Sequence, residues 1–517
     1  MKIKNNTIEK EIKELYREDI SKLARNAGIT GVGEIAGNII TYASNVLVTR
    51  RIGPTSFGIY VLATTIFRIV GIFSVAGLDN GLIRFISLYQ GRGDKARVKG
   101  VILFATKVAG LLSLFFFPLL FLTAPFTSTR IFHNPDLSPA LQIILISLPF
   151  TTLMTIWLGG IQGFQLIKYR VYVEKLFQPF SRLFFLIILF ILGMKLFGVL
   201  IATVLSAVIG FIMSFWYLNK IFPFRKDQLS PVYEKKKLIT FSMPVTFVTF
   251  FFFITRWISI LMLGYFVTPR DVGIFGAVDR VLPLVGLPLE SLNIIFSPMI
   301  SGLYGERALS KLENLFKVET KWAVSLSFPI CLTLIIFARP IMRIFGAAFT
   351  EGSVVLIILS IAQLIRVSVG STGPMLMMTG HQNISLFNTF FTAVITITLS
   401  YFLIPQYGIL GAAIANFISV VVINTVEVIQ IYYLFKMHPF RMDFLKPLAA
   451  GIFTSLIILL VLQSDFIKLN QYNIFFLGIL CLLFFAVYFL WIIVLRLSQE
   501  DKLIIKLLFQ KLGIVKQ

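Results

Sequence analysis

The chain has 517 residues, 57% apolar and only 14% charged, with 53 phenylalanines and a mean hydropathy of +0.88. Soluble proteins carry roughly 25% charged residues, so this composition excludes a soluble globular enzyme and reads as an all-α polytopic membrane protein; the apolar runs are too long and continuous for barrel strands. The net charge of +23 would point to nucleic acid in a soluble chain, but the basic residues lie between the apolar runs, which is the positive-inside pattern.

Residues 1–26 carry seven Lys and Arg, with Ile12, Leu15, Ile20 and Leu23 at helical spacing. They predict an amphipathic tail helix on the cytoplasmic membrane surface, and they lack the short apolar core and cleavage site of a signal peptide. About fourteen transmembrane helices follow, at 27–49, 58–83, 100–123, 139–160, 172–193, 197–218, 238–263, 272–300, 319–338, 353–378, 384–403, 409–435, 446–463 and 472–495. At a rise of about 1.5 Å per residue these runs are long enough to span a bilayer. Connections on the N-terminal side of this pattern hold 31 Lys and Arg, and those on the opposite side hold 8. That asymmetry places both termini in the cytoplasm. The tail 497–517 mixes Leu503, Ile504 and Leu507 with Lys502, Lys506 and Lys511 and reads as a second surface helix.

The sequence echoes itself. Gly58-Ile59-Tyr60 aligns with Gly273-Ile274-Phe275, Gly71 with Gly286 and Tyr89 with Tyr304, all at an offset of 215. Lys220-Ile-Phe-Pro-Phe-Arg225 matches Lys436-Met-His-Pro-Phe-Arg441 at 216. Two homologous halves of six spans each are expected: an N-lobe over 27–218 and a C-lobe over 238–435, joined by a cytoplasmic linker, 219–237. Spans 13 and 14 (436–496) have no counterpart and form a C-terminal helix pair.

The stretch 50–63 (RRIGPTSFGIYVLA), followed by Gly71, Gly77 and the Arg84 to Gly91-Arg92-Gly93-Asp94 segment, resembles the opening of the Wzx-like polysaccharide flippases. These belong to the multidrug/oligosaccharidyl-lipid/polysaccharide exporter superfamily, and the resemblance covers essentially the whole chain. It implies two lobes around a V-shaped cleft lined by spans 1, 2, 7 and 8. It implies a multi-pass protein of the cytoplasmic membrane that carries an isoprenoid-pyrophosphate-linked oligosaccharide from the inner to the outer leaflet. The implied drive is a Na⁺ or H⁺ gradient, and the implied partners are the lipid-linked glycan, the bilayer and a polysaccharide polymerase or other assembly proteins, with the transporter itself a monomer. No cofactor and no nucleic acid are expected, and no phosphate-loop motif is present. The same superfamily supplies two rival readings, a multidrug/toxin antiporter and a lipid II-type flippase. A membrane glycosyltransferase would need a large outer loop with catalytic acids, and the outer connections here are short.

Flipping needs a polar path for a sugar diphosphate, because burying an unpaired charge costs several kcal/mol. Ionisable residues within spans are therefore the candidates. Arg256, Arg280 and Arg68 are the candidates for the pyrophosphate, since a guanidinium fork binds phosphate bidentately; the competing reading of Arg256 is an ion pair with an acid of span 8. Glu34, Asp79, Asp279, Glu290 and Glu427 are the candidates for ion coupling. Arg182 and Arg366 read as lying outside the cleft, and Lys107 and Lys321 as snorkelling to an interface. Pro244, Pro283, Pro288 and Pro374 are expected to kink their spans. Cys331 and Cys481 read as core residues, and His133, His381 and His438 lie far apart in connections, so no metal site is expected.

Overall fold

A computed structural model describes residues 2–223, 230–441, 443, 445–463 and 473–495, with side chains from residue 33 onward (Ile474 apart). The tail 497–517, expected as a surface helix, lies outside the described residues, as do Arg225 and Lys468. The described chain is built of helices: α1 (Lys2–Val75), α2 (Leu78–Gly91), α3 (Lys95–Phe126), α4 (Leu137–Leu145), α5 (Leu148–Gly163), α6 (Ile167–Val171), α7 (Gln178–Ile191), α8 (Leu196–Ile221), α9 (Lys235–Phe266), α10 (Pro269–Val281), α11 (Pro283–Gly305), α12 (Leu309–Ile336), α13 (Ala338–Phe345), α14 (Ser353–Ser368), α15 (Thr372–Met378), α16 (Gln382–Phe435), α17 (Leu445–Val461) and α18 (Ile474–Val494).

Among the described residues nine helical stretches are long and apolar enough to cross a membrane, ten if α4 and α5, bent by 44° at residues 146–147, count as one span. The expected fourteen is therefore not established as a count. Two of the stretches, Gly33–Gly91 and Gln382–Phe435, are 59 and 54 residues long, well beyond the roughly 20 a bilayer needs. Both carry an internal break at glycine: Gly53 at φ 72° and Gly408 at φ 55°. The backbone stays helical from residue 2 through the predicted tail boundary at 26. Large apolar side chains such as Leu122, Ile191, Ile294, Phe475 and Leu482 point outward, a surface water would not tolerate and lipid does.

The chain divides into two compact units between Phe253 and Ile254. The division falls inside α9 and not in the 219–237 connection, because the first turns of α9 pack on α2: Leu238 and Ser242 press against Gly81, and Phe241 meets Phe85 edge-on at 5.9 Å. In the first unit α2, α3, α5 and α8 share a core that includes Leu82, Ile86, Val101, Trp157 and Ile161. Hydrophobic burial supplies little drive in lipid, so close approach at small residues holds such helices together. Gly159 lies against the backbone of Asp79, and Gly163 against Leu82 and Ile86. In the second unit α11, α12, α14 and α16 pack in succession. The C-terminal pair α17–α18 docks there too: Gly451 admits the ring of Phe328, and the buried Tyr488 hydroxyl donates to the Ser325 carbonyl at 3.0 Å.

Several spans are interrupted. Span 2 breaks at Ala76 and Gly77, both in left-handed conformation, before α2 begins. Span 8 breaks where Pro283 opens α11, in line with the expected kink, whereas Pro288 is carried inside that helix. Span 10 breaks over residues 369–371, with Gly370 at φ 70°. The connection after span 9, expected as a loop, folds into α13, whose Ile341, Met342 and Phe345 are buried while Arg339 and Arg343 occupy the other face.

Two predictions follow from this architecture. A Cβ at Gly77 would fall 2.4 Å from the Ser242 carbonyl, whereas a Cβ at Gly53 would meet nothing within 4 Å, though both have positive φ. Gly53 (φ 72°, ψ 176°) lies in a region essentially confined to glycine, so Gly53→Ala should cost backbone strain alone, about 1–3 kcal/mol. Gly77→Ala should add a steric clash to left-handed strain of about 1–2 kcal/mol and lose more stability than that strain in thermal unfolding in detergent; a smaller loss at Gly77 would contradict the packing. Asp94 caps α3 by accepting the Arg97 N–H at 3.0 Å, and this bond, with the Arg97 guanidinium, holds its carboxyl below the usual range. A lowered folded pKa stabilises above the unfolded value of about 3.9 and is lost as pH falls through the folded one. The stability gap between wild type and Asp94→Asn should be full at neutral pH and close progressively as pH falls below the unfolded value of about 3.9.

Candidate functional site

The expected site residues fall into two groups, one in each unit. In the first, Glu34 on α1 is half exposed and pairs with Lys175 Nζ at 3.4 Å. Arg68 lies on the exposed side of α1 after the Gly53 break. Asp79 stands in the first turn of α2, directly after the left-handed pair, with the Asn80 amide 3.3 Å from both carboxylate oxygens. A carboxylate there complements the unpaired N–H groups of the helix start. Arg182 is held within the unit: it donates to the Tyr60 hydroxyl at 2.9 Å and lies 5.6 Å from that ring's centre.

In the second unit Arg256 projects from α9 into an exposed position, its guanidinium 5.9 Å from the ring centre of Trp257. Asp279 and Arg280 occupy the last turn of α10 beside the Pro283 break, and Arg280 Nε is buried with no hydrogen-bond partner among the described residues. Glu290 on α11 approaches Arg366 on α14 at 3.8 Å. The acid of span 8 recorded in an ion pair thus faces span 10, not Arg256. Lys321, expected to snorkel, is instead 94% buried, and its charge acts on Asp443.

The densest polar arrangement surrounds the break between α14 and α15. Ser371 and Thr372, consecutive in the chain, each bond a carboxylate from a different helix. Ser371 donates to Glu319 of α12 through its hydroxyl (2.7 Å) and its backbone N–H (3.3 Å), and its hydroxyl also contacts Asn293 Oδ1 of α11. Thr372 donates to Glu427 of α16 at 2.5 Å. On α16 itself Asn388 and Gln430 exchange amide hydrogen bonds at 2.7 and 3.0 Å. Gly370 is required for this closeness, since a Cβ there would lie 2.1 Å from Thr320 Oγ1. Of this arrangement only Glu427 stood among the sequence candidates. Glu319 sits at the first position of a predicted span, beside Lys321, where a boundary charge explains itself. The signal that could have found it is the run Gly370-Ser371-Thr372, turn-forming residues inside an apolar span.

This arrangement gathers two carboxyls, two hydroxyls and an amide oxygen about one break in the second unit. Among the described residues no group of three or more His, Cys, Asp and Glu is placed to hold a metal ion.

Comparison with known proteins gives the lineage. A family model described as polysaccharide biosynthesis protein matches residues 23–303, and the MatE model matches 244–402. A capsular polysaccharide biosynthesis protein of Staphylococcus aureus is 25% identical over 305 residues, covering 59% of this chain and 76% of that one. A probable low-salt glycan biosynthesis flippase of Haloferax volcanii is 28% identical over 174 residues, 33% of this chain and 36% of its own. Among solved structures, the lipid II flippase MurJ in an inward closed conformation superposes with a TM-score of 0.69 at 15% identity, covering 89% of this chain and 97% of that one. An inward-facing multidrug resistance MATE family transporter gives 0.66 at 17%, covering 77% and 94%. The fold is thus the polytopic helical fold these transporters share, and, with its model spanning more than half of the sequence, the chain belongs to the polysaccharide biosynthesis protein family.

Proposed function

We propose that this protein is a flippase that moves an isoprenoid-pyrophosphate-linked oligosaccharide from the inner to the outer leaflet for surface polysaccharide assembly. The observation that carries the reading is the family match over residues 23–303. The glycan and capsule names of the two curated relatives support it. The work is transport by alternating access, not catalysis, and an ion gradient drives it. The protein sits in the cytoplasmic membrane with both termini inside and acts as a monomer alongside the polymerase or other assembly proteins.

Arg256, Arg280 and Arg68 bind the diphosphate in this reading. The exposed guanidinium of Arg256 and the unpartnered Nε of Arg280 are groups an anion would complete. Asp79, Asp279 and Glu427 are the acids for ion coupling. Glu34, which pairs with Lys175, and Glu290, which approaches Arg366, belong to the same set of candidates. A second reading, an ion-coupled multidrug antiporter, draws on the MatE match over 244–402.

Two measurements test these proposals. Losing one guanidinium–phosphate contact costs about 1.5–3 kcal/mol, about 10- to 100-fold in affinity. Arg256→Ala should therefore cut surface glycan export about tenfold or more while membrane insertion stays normal; undiminished export removes Arg256 from the mechanism. In proteoliposomes, flipping of a fluorescent isoprenoid-pyrophosphate-linked saccharide should slow when H⁺ and Na⁺ gradients are both collapsed. Gradient-independent flipping removes the coupling, and gradient-driven drug uptake without saccharide flipping favours the antiporter.

A further inference from the structure

We infer that Glu319 is a proton-binding site that locks the break between α14 and α15. The argument begins with hydrogen counting. Three oxygens stand in a row across three elements: Glu319 Oε1 on α12, Ser371 Oγ at the break and Asn293 Oδ1 on α11. A serine hydroxyl owns one hydrogen, and a carboxylate and an amide oxygen own none. Two hydrogen bonds in this row need two hydrogens. A proton on Glu319 supplies the second: the carboxyl O–H donates to Ser371 Oγ, and the Ser371 hydroxyl donates to Asn293 Oδ1. When the proton leaves, the row survives only if the Asn293 amide turns over, so that its Nδ2 donates to Ser371 and Ser371 donates to the carboxylate. Gain or loss of one proton therefore reverses a hydrogen-bond chain that ties α11, α12 and the break together.

The surroundings suit a proton and not a fixed charge. Glu319 is 1% exposed, Ser371 2%. The recorded partners of its carboxyl are the two groups of Ser371, and a buried carboxylate without a cation is costly. The charged groups on the helices packed against α12 are occupied elsewhere. Glu290 of α11 and Arg366 of α14 pair with each other, and Lys446 of α17 pairs with Asp443. Lys321 acts on Asp443, and Lys317 pairs with Glu313. Arg339 and Arg343 lie on α13, beyond the other end of α12, and the described part of α18 carries no charge. Glu427 on α16 is bonded to Thr372, the neighbour of Ser371. Exchange of the proton with water requires the buried break to move, which links protonation to a change in the helix. That this proton is the coupling ion rests on the flippase reading; its binding does not.

The test is pH-titrated difference infrared spectroscopy of the full-length protein in lipid nanodiscs, read at the carboxylic-acid carbonyl stretch. Wild type should show a protonated-carboxyl band that bleaches as pH rises. That component should be lost in Glu319→Gln and retained in Glu427→Gln; an undiminished band in Glu319→Gln overturns the site. Should Glu319→Gln fail to fold, Ser371→Ala keeps the carboxyl but removes its hydroxyl partner. It should move the band's frequency, and a frequency that does not move overturns the chain of bonds. In proteoliposomes an imposed pH gradient should speed flipping of the fluorescent saccharide by wild type and not by Glu319→Gln. Equal acceleration of both removes the coupling role, whereas absence of any flipping by wild type sinks the flippase reading and leaves the infrared assignment standing.

Discussion

Hydrocarbon offers no water to complete a hydrogen bond, and the interruptions at Gly77 and Gly370 answer to that constraint. Where the spans run unbroken, serine and threonine hydroxyls turn back onto the carbonyl one turn earlier, as at Thr65, Ser74, Thr246 and Thr454. Where a span stops, backbone groups are released and something local must receive them. At Gly77 the chain turns against α9 and the next helix begins with Asp79 in its first turn. At Gly370 the released Ser371 N–H goes to Glu319. Thus the places where the backbone departs from helix are also the places where polar side chains concentrate.

Much of this was readable from the residues. Apolar runs bounded by basic connections locate spans because lipid sorts residues strictly by polarity. The stretch 50–63, with Gly71, Gly77 and the segment that follows, pointed to the family that the comparisons bear out. The breaks were less legible, since one left-handed residue scarcely alters the mean hydropathy of its window. Only Pro283, which removes a donor and fixes φ, announced its break. The α13 helix was hidden because two arginines in eight residues resemble a loop, whereas their spacing leaves Ile341, Met342 and Phe345 on one face.

Charges were harder still. A sequence shows that a residue is ionisable and inside a span, but not which neighbour it meets. Glu290 meets Arg366, five helical elements' worth of chain away from the partner first considered, Arg256. Glu34 meets Lys175, a residue at the edge of a span and outside the candidate set. Arg182 donates to a phenol through one of its amino groups. These pairings are set by which helices pack together, information held across 76 to 141 residues of separation. Glu319 and Lys321 differ by two positions and point to different partners, one to a serine hydroxyl and the other toward Asp443, a divergence that helical geometry makes natural.

The adjacency of Ser371 and Thr372 has a mechanical corollary. One peptide bond separates the handholds of α12 and α16, so those two long helices are yoked through a segment too short to stretch. A displacement of either is felt by the other at full amplitude, as through a stiff crank instead of a spring, and a third arm reaches α11 through Asn293. Three helices, α11, α12 and α16, thereby share a single pivot, whose smallest part is a glycine without room for one more carbon.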